Sequence, residues 1–443
     1  MDKLALPQAM KAMDDYAIHT LGVPSLDLME RAAGEVVRAA KEQLSAHPGP
    51  VAVVCSSGNN GGDGIAAARL LRAEGFPVRC FLVGSREKLT PDAAGMTQKL
   101  EAVGGVLESC DLKALGAYLP GCALVIDALF GTGLNRPLTG DALAVVELVN
   151  RSGARVVSCD IASGVDGATG AVLGGAIRAD VTVTFTMAKP GQLLPPGLEY
   201  TGELRVVDIG IPRQAQEAQQ TLGELTDQAF VQALLPRRRR EAHKGDFGKL
   251  LLLAGSRGYT GAAALAARGA VRSGAGLVSL GVPEAVYPIL AAKLDEPMVF
   301  PLACDSEGRL SIKALPPILD RMNACDAVLL GPGLGRSGEL SRLIAGVLET
   351  CRIPLVLDAD GINGLDGHID ILRGTSCPVV LTPHEGEFAR LSDALGRSNR
   401  LDAAKELAAQ TGAVVALKGY RTLIAAPDGR VRVNTTGNPG MAV

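Results

Sequence analysis

The stretch "VAVVCSSGNNGGDGIAAARLLRAEG", residues 51–75, changes character twice within its length. Val51–Cys55 is an unbroken apolar run, Ser56–Gly64 is small and polar, and the remainder is a helix-forming segment. A buried strand, a glycine-rich turn and a helix in that order predict the opening of a parallel βαβ unit. Such a turn directs backbone N–H groups toward whatever lies at the helix N-terminus, which suits a phosphate. Tight turning alone would explain the glycines. It does not explain Asn59, Asn60 and Asp63, three polar side chains at the C-terminal end of a strand, the edge where open parallel sheets bind ligands.

The same pattern repeats outward. Residues 77–84, 123–131, 155–164, 181–186 and 204–210 read as further buried strands with helical stretches between them, and residues up to Lys41 read as helix. A Gln-rich polar stretch follows Pro212, and strand-like runs then resume from Lys249. Two α/β domains are therefore expected, as a length of 443 residues already suggests. The intervening run Arg237–Arg240 reads as a solvated face rather than a phosphate site.

A net charge of -3 gives no electrostatic case for nucleic acid or a membrane surface as partner. The 54 glycines and the absence of Trp suit an enzyme with many tight strand-to-helix turns, and argue against an aromatic platform for single strands. Nine cysteines without CxxC spacing read as reduced thiols, and the N-terminus lacks the apolar core of a signal peptide. A cytoplasmic enzyme is expected, with a homo-oligomer as its assembly.

Two more strand ends should open onto the edge that carries the glycine-rich turn. One supplies Asp127 and the loop Gly131–Pro137; the other supplies Asp160 and Ser163. Asn60, Asp127 and Ser163 together would offer hard oxygen ligands to a cation, and the two acids offer acid/base partners to a bound ligand. Farther on, Gly333, Gly335 and Gly338 make a GxGxxG after a strand, with Asp358 at the spacing of a ribose-binding acid. Alone, that motif would suggest a dinucleotide fold, but it is weak evidence and its surroundings differ.

Those surroundings, taken with the first half, resemble a known pair. "GNNGGDG", "DIASGVDG", "HKGDFGKLLLLAGS", "LTPHEGE" and "GNPGMA" occur here in the order found in bifunctional NAD(P)H-hydrate repair enzymes of the YjeF type. The resemblance implies a Rossmann-like three-layer epimerase domain over residues 1–215, an entry segment over 216–242 and a ribokinase-like three-layer α/β dehydratase domain over 243–443. It implies that Asn59, Asn60, Gly61, Gly62 and Asp63 hold the hydrated coenzyme, NADHX or NADPHX. With them would stand Gly131, Thr132, Gly133, Leu134, Asn135, Arg136, Pro137 and Asp160. Asn60, Asp127 and Ser163 would be potassium ligands, with Asp127 and Asp160 the candidates for catalysis of R-to-S interconversion. In the second half Ala262, Gly335 and His384 would touch the S-hydrate. Lys418, Gly419, Tyr420, Arg421 and Thr422 would touch ADP, or ATP, with Mg2+.

Where many relatives have glycine, this chain has Ser56, which is expected to narrow the loop without removing a ligand. In that family "GNPGMA" leads into a glycine-rich anion hole and a catalytic Asp, whereas Val443 stands here at that point. The dehydratase half as given is accordingly expected to be inactive. Two other functions compete: a ribokinase-like small-molecule kinase, which would not need the first domain, and a non-catalytic nucleotide-binding scaffold.

Overall fold

The structure, a computed structural model, describes residues 3–235, 237–438 and 440. It divides into two compact units, Met1–Leu225 and Thr226–Val443. The division falls inside the 216–242 stretch, which carries a short strand, Gly223–Thr226, and a helix, Gln228–Leu234. Met441–Val443, on which the expectation of a missing catalytic continuation rests, lie outside the described residues.

The first unit is built on seven strands: β1 (Val51–Cys55), β2 (Val78–Leu82), β3 (Leu107–Ser109), β4 (Leu124–Ala128), β5 (Arg155–Cys159), β6 (Val181–Phe185) and β7 (Glu203–Val207). Their order across the sheet is β3-β2-β1-β4-β5-β6-β7, and every neighbouring pair is parallel. All strand C-termini therefore emerge on one edge. The chain runs outward from β1 to β3 and then restarts on the other side of β1, so a crevice opens between the loops after β1 and β4.

Alternation along β1 sorts its side chains between two cores. Val51, Val53 and Cys55 pack with Met13, Ala33, Val36 and Ile65 on one face. Ala52 and Val54 pack with Leu115, Val145 and Val149 on the other. That is the three-layer sandwich. The helix expected through Lys41 is two helices, α1 (Pro7–His19) and α2 (Ser25–Ala46), parted at Gly22 and Pro24. Gly22 takes a left-handed turn that other residues resist, and Pro24 cannot donate to a continuing ladder. Leu28, Met29, Ala33, Val36 and Val37 then form the buried stripe of α2.

The second unit has β8 (Lys249–Leu253), β9 (Leu277–Pro283), β10 (Met298–Leu302), β11 (Ala327–Leu330), β12 (Leu355–Leu357), β13 (Val379–Leu381), β14 (Val414–Leu417), β15 (Leu423–Ala425) and β16 (Val431–Asn434). Among the described residues the order is β16-β15-β14-β13-β12-β11-β8-β9-β10; β8–β14 are parallel and the last two strands antiparallel. Here the direction of winding reverses between β8 and β11. The Arg237–Arg240 run is exposed, with Arg238 donating to the Gly274 carbonyl and lying over the Phe247 ring.

Helix α3 (Asn59–Ala73) begins inside the glycine-rich turn and lies unusually close to β1. A methyl group on Gly61 would stand 1.8 Å from the Ser56 carbonyl oxygen, and one on Gly64 would stand 2.3 Å from the Ala128 side chain. Backbone cannot yield as a flexible side chain can. Gly61→Ala is expected to cost about 3 kcal/mol, the upper end for overpacking, and to lower the first urea midpoint of the chain. An unchanged midpoint would show that the turn has slack.

Candidate functional site

The first site lies where the β1 and β4 loops face each other. Asp127, in β4, is fully buried. Its carboxylate accepts from the Ser163 hydroxyl at 2.6 Å, the Ser163 N–H at 2.9 Å, the Ser158 hydroxyl at 2.8 Å and the Leu129 N–H at 3.3 Å. These four donors fill the directions in which a carboxylate accepts. Burial nonetheless pushes its acidity weaker than usual, the hydrogen bonds from Ser163, Ser158 and Leu129 opposing that shift. Ser163 in turn accepts from the Phe130 N–H at 2.9 Å, so it pins the loop after β4.

Across the crevice, Asn60 stands against Gly131, whose added methyl would lie 3.2 Å from the Asn60 Oδ1. Both amide atoms of Asn60 are buried and have no partner among the described residues. Such groups cost free energy unless something meets them. Ser56, expected to narrow the loop, donates its hydroxyl to the Leu129 carbonyl and so ties the β1 loop to the β4 loop. Asn59 and Asn135, Arg136 and Pro137 are exposed on the rim, and Gly61 and Gly62 are buried beneath them.

One strand farther, Asp160 follows β5 with a left-handed backbone, φ 62°. Lys189 donates to its Oδ1 at 2.6 Å, and the Thr184 hydroxyl reaches the same oxygen at 3.0 Å. Two more carboxylates stand near. Asp63 is partly buried, and desolvation, then Asp160, Asp14 and Asp92, hold its carboxyl well above the usual range. Asp14, on α1, is pushed up to about 6, by desolvation first and then by Asp160, with Lys189 opposing. The sequence motifs name Asp63 and Asp160 but not Asp14, Thr184 or Lys189. Only one signal was on offer for these: a lysine four residues past the sixth strand, within "MAKPGQ".

The second site is also at a sheet edge. Ala262 opens α4 (Thr260–Arg272), after β8, and stands against Gly333 in the loop after β11, the pair that flanks the reversal point. Gly333 and Gly335 both take left-handed backbone, with φ 68° and 77°, and the Ser256 hydroxyl holds the Gly333 carbonyl at 2.8 Å. Gly335 N–H donates to Asp360 at 2.8 Å. Asp358 accepts from Lys418 at 2.8 Å and from Thr382 at 2.7 Å. Between the two acids, Ala359 is held at φ 49°, a strained value for a residue with a Cβ.

His384 follows β13, exposed, and its Nδ1 accepts from the Gly386 and Glu387 N–H groups. Buried Glu387 accepts from the His384 N–H at 2.9 Å. Lys418, Gly419, Tyr420, Arg421 and Thr422 follow β14, and Arg421 is left-handed at φ 65°. Parallel pairing from β8 to β14 thus sets Ala262, Gly335, His384 and Lys418 on one edge. Among the described residues no helix is long and apolar enough to cross a membrane.

Two α/β units, each with polar groups gathered at the strand tips beside a reversal of winding, define a pair of linked enzymes acting on nucleotide-like ligands. Comparison with known proteins makes this specific. Residues 25–191 match the family of the YjeF-related protein N-terminus, and residues 250–443 match the NAD(P)H-hydrate dehydratase family. The chain is 40% identical over 446 residues to the bifunctional NAD(P)H-hydrate repair enzyme Nnr of Thermofilum pendens, covering 99% of this chain and 84% of that protein. To the enzyme of the same name from Moorella thermoacetica it is 39% identical over 442 residues, covering 98% and 83%. A solved ADP/ATP-dependent NAD(P)H-hydrate dehydratase from Bacillus subtilis, co-crystallised with ATP and Mg2+, shares 34% identity at a TM-score of 0.41, covering 50% of this chain and 76% of that one. The chain belongs to the bifunctional NAD(P)H-hydrate repair enzymes, with an epimerase domain followed by a dehydratase domain.

Asp14 gives the site a pH signature. Its carboxyl titrates near 6 when folded and near 3.8 when free, so the folded state favours the protonated form. Stability from this group is complete below the free value and is lost as pH rises toward 6. D14N should therefore stabilise the protein at pH 7 by at most about 3 kcal/mol, an advantage that shrinks between pH 6 and pH 4. Parallel melts of the two proteins across that range check it.

Proposed function

We propose that in the first unit Asp160 handles the proton of epimerisation and that Asp127 organises a cation site. The observation that carries this division is how differently the two carboxylates are used. Asp127 is sealed and fully hydrogen bonded, whereas the Asp160 side chain is 15% exposed and takes its donors on one oxygen. A hydrate at C6 bears its hydroxyl on the carbon bonded to the ring nitrogen. Removing the hydroxyl proton allows the C6–N bond to open to an aldehyde, the electron pair passing to nitrogen and its conjugated carboxamide. Reclosure on the other face inverts C6 and recovers the proton from the base. A positioned carboxylate is suited to that exchange.

The residues present fit a monovalent cation. The unpartnered buried Asn60 Oδ1 offers a hard oxygen, and Asp127 is a buried negative charge with no cationic hydrogen-bond partner among the described residues. The Asn60 and Ser163 side-chain oxygens would hold K+, and Asp127, its own acceptor directions taken by four donors, would supply the buried negative charge that K+ balances. What this chain does there is fix the β4 loop through Ser163, so that the loop Gly131–Pro137 and the N-terminus of α3 form the walls for the coenzyme. The NADHX or NADPHX phosphates lie against the N–H groups of Asn59–Asp63.

In the second unit the S-hydrate lies between Ala262, Gly335 and His384, and ADP or ATP with Mg2+ lies along Lys418–Thr422. Lys418 gives a phosphate its point charge. The support is the shared edge and the matched dehydratase family. A small-molecule kinase would leave the first unit without a purpose.

Asp160→Asn is expected to slow R-to-S interconversion about a hundred- to ten-thousand-fold, measured by chromatography of the two epimers. A rate equal to wild type removes Asp160 from the chemistry. Potassium chloride, but not lithium chloride at equal ionic strength, should raise the melting temperature of the unliganded protein. D127N should abolish that difference.

A further inference from the structure

Lys189 is among the largest fully buried side chains of the molecule, and burying a lysine is costly unless its charge is met. Here it is met completely. The three hydrogens of its ammonium go to the Asp160 Oδ1 at 2.6 Å, the Thr184 Oγ1 at 2.7 Å and the Phe185 carbonyl at 3.3 Å. With three donors committed and the side chain only 1% exposed, Lys189 has nothing left to offer a substrate. A Schiff-base or phosphate-binding role is thereby excluded.

The same contacts say what it does instead. Thr184 accepts from Lys189 and donates its own hydroxyl hydrogen bond to the Asp160 Oδ1 at 3.0 Å, so both donors converge on one carboxylate oxygen. Among the described residues no hydrogen bond goes to Oδ2. The backbone of Asp160 is fixed as well. Its N–H donates to the Val183 carbonyl at 2.8 Å, and buried Gln192 donates to its carbonyl at 2.5 Å while accepting from the Lys189 N–H at 2.8 Å. These ties hold a left-handed aspartate that would otherwise relax.

We propose that Lys189, with Thr184 as its relay, is a positioning residue of the epimerase: it ties up Oδ1 of Asp160 and leaves Oδ2 as the oxygen that exchanges a proton with the hydrate. This rests on the assignment of Asp160 above. The clamp sets both the rotation of the carboxylate and the oxygen it presents, and an error of about 1 Å in such placement is worth about a hundredfold in rate.

The test uses the full chain with K+ present and follows interconversion from each purified epimer of NADPHX, giving kcat and KM. K189M keeps the length and volume of the side chain without its donors. It should lower kcat about a hundredfold with KM within about threefold, and K189M/D160N should be no slower than D160N alone, since both act through one carboxylate. T184V, a milder change, should lower kcat about tenfold and decides the matter if K189M fails to fold. Wild-type kcat in K189M or T184V, beside a slow D160N, overturns the clamp while leaving Asp160 in place. Raised KM at unchanged kcat also overturns it, as does a double variant whose loss is the product of the single losses. A D160N enzyme as fast as wild type removes the assignment of Asp160 and the clamp together.

Discussion

Parallel pairing is the constraint on which everything else in this molecule depends. A sheet whose strands all run one way must deliver all its C-terminal loops to one edge, however far apart those loops lie in the chain. Asn60, Asp127, Ser163, Asp160 and Lys189 meet for that reason alone. Reversal of winding next to the first strand then leaves a crevice at that edge, and the second unit repeats the device with β8 and β11. Neither site needed a dedicated cavity. Each is what the topology leaves open.

Within the first site, two acids that look alike in sequence have been given unlike surroundings. Asp127 sits inside β4, where four donors and complete burial turn it into part of the framework. Asp160 lies one residue past its strand, with a bent backbone and, among the described residues, donors on only one of its oxygens. A shift of two positions relative to the strand end separates the structural role from the chemical one. Asp14 and Asp63 crowd Asp160, and burial with their acidic neighbours makes each a weaker acid than usual, Lys189 opposing the shift at Asp14.

Much of the fold was legible because buried parallel strands are almost wholly apolar and glycine marks their ends. The six strands expected in the first unit are all present and start within one residue of their predicted limits, but those expected at 123–131, 155–164 and 204–210 end three to five residues early, because the apolar reading ran on into the strand-tip loops. Those that escaped notice have physical excuses. Leu107–Ser109 is only three residues long, while Met298–Leu302 and Val431–Asn434 alternate burial and carry Pro301 and Arg432, as partly exposed strands can. Among site groups, the glycine-rich turn and the strand-tip acids stood out. Asp14 did not, for it is one of two adjacent aspartates on an ordinary amphipathic helix far away in sequence. Lys189 did not either, since a lysine after a strand is nearly always a surface residue and only the packed structure shows it sealed.

Gln192 is itself fully buried. Its amide joins the backbone of Asp160 to that of Lys189, so one uncharged side chain locks two loops into a single piece. Lineages diverging from this chain cannot exchange Lys189, Thr184, Gln192 or Asp160 one at a time without stranding a sealed polar group. Drift at these four positions is therefore expected to be concerted, and a surviving variant at one of them should carry compensating changes at the others.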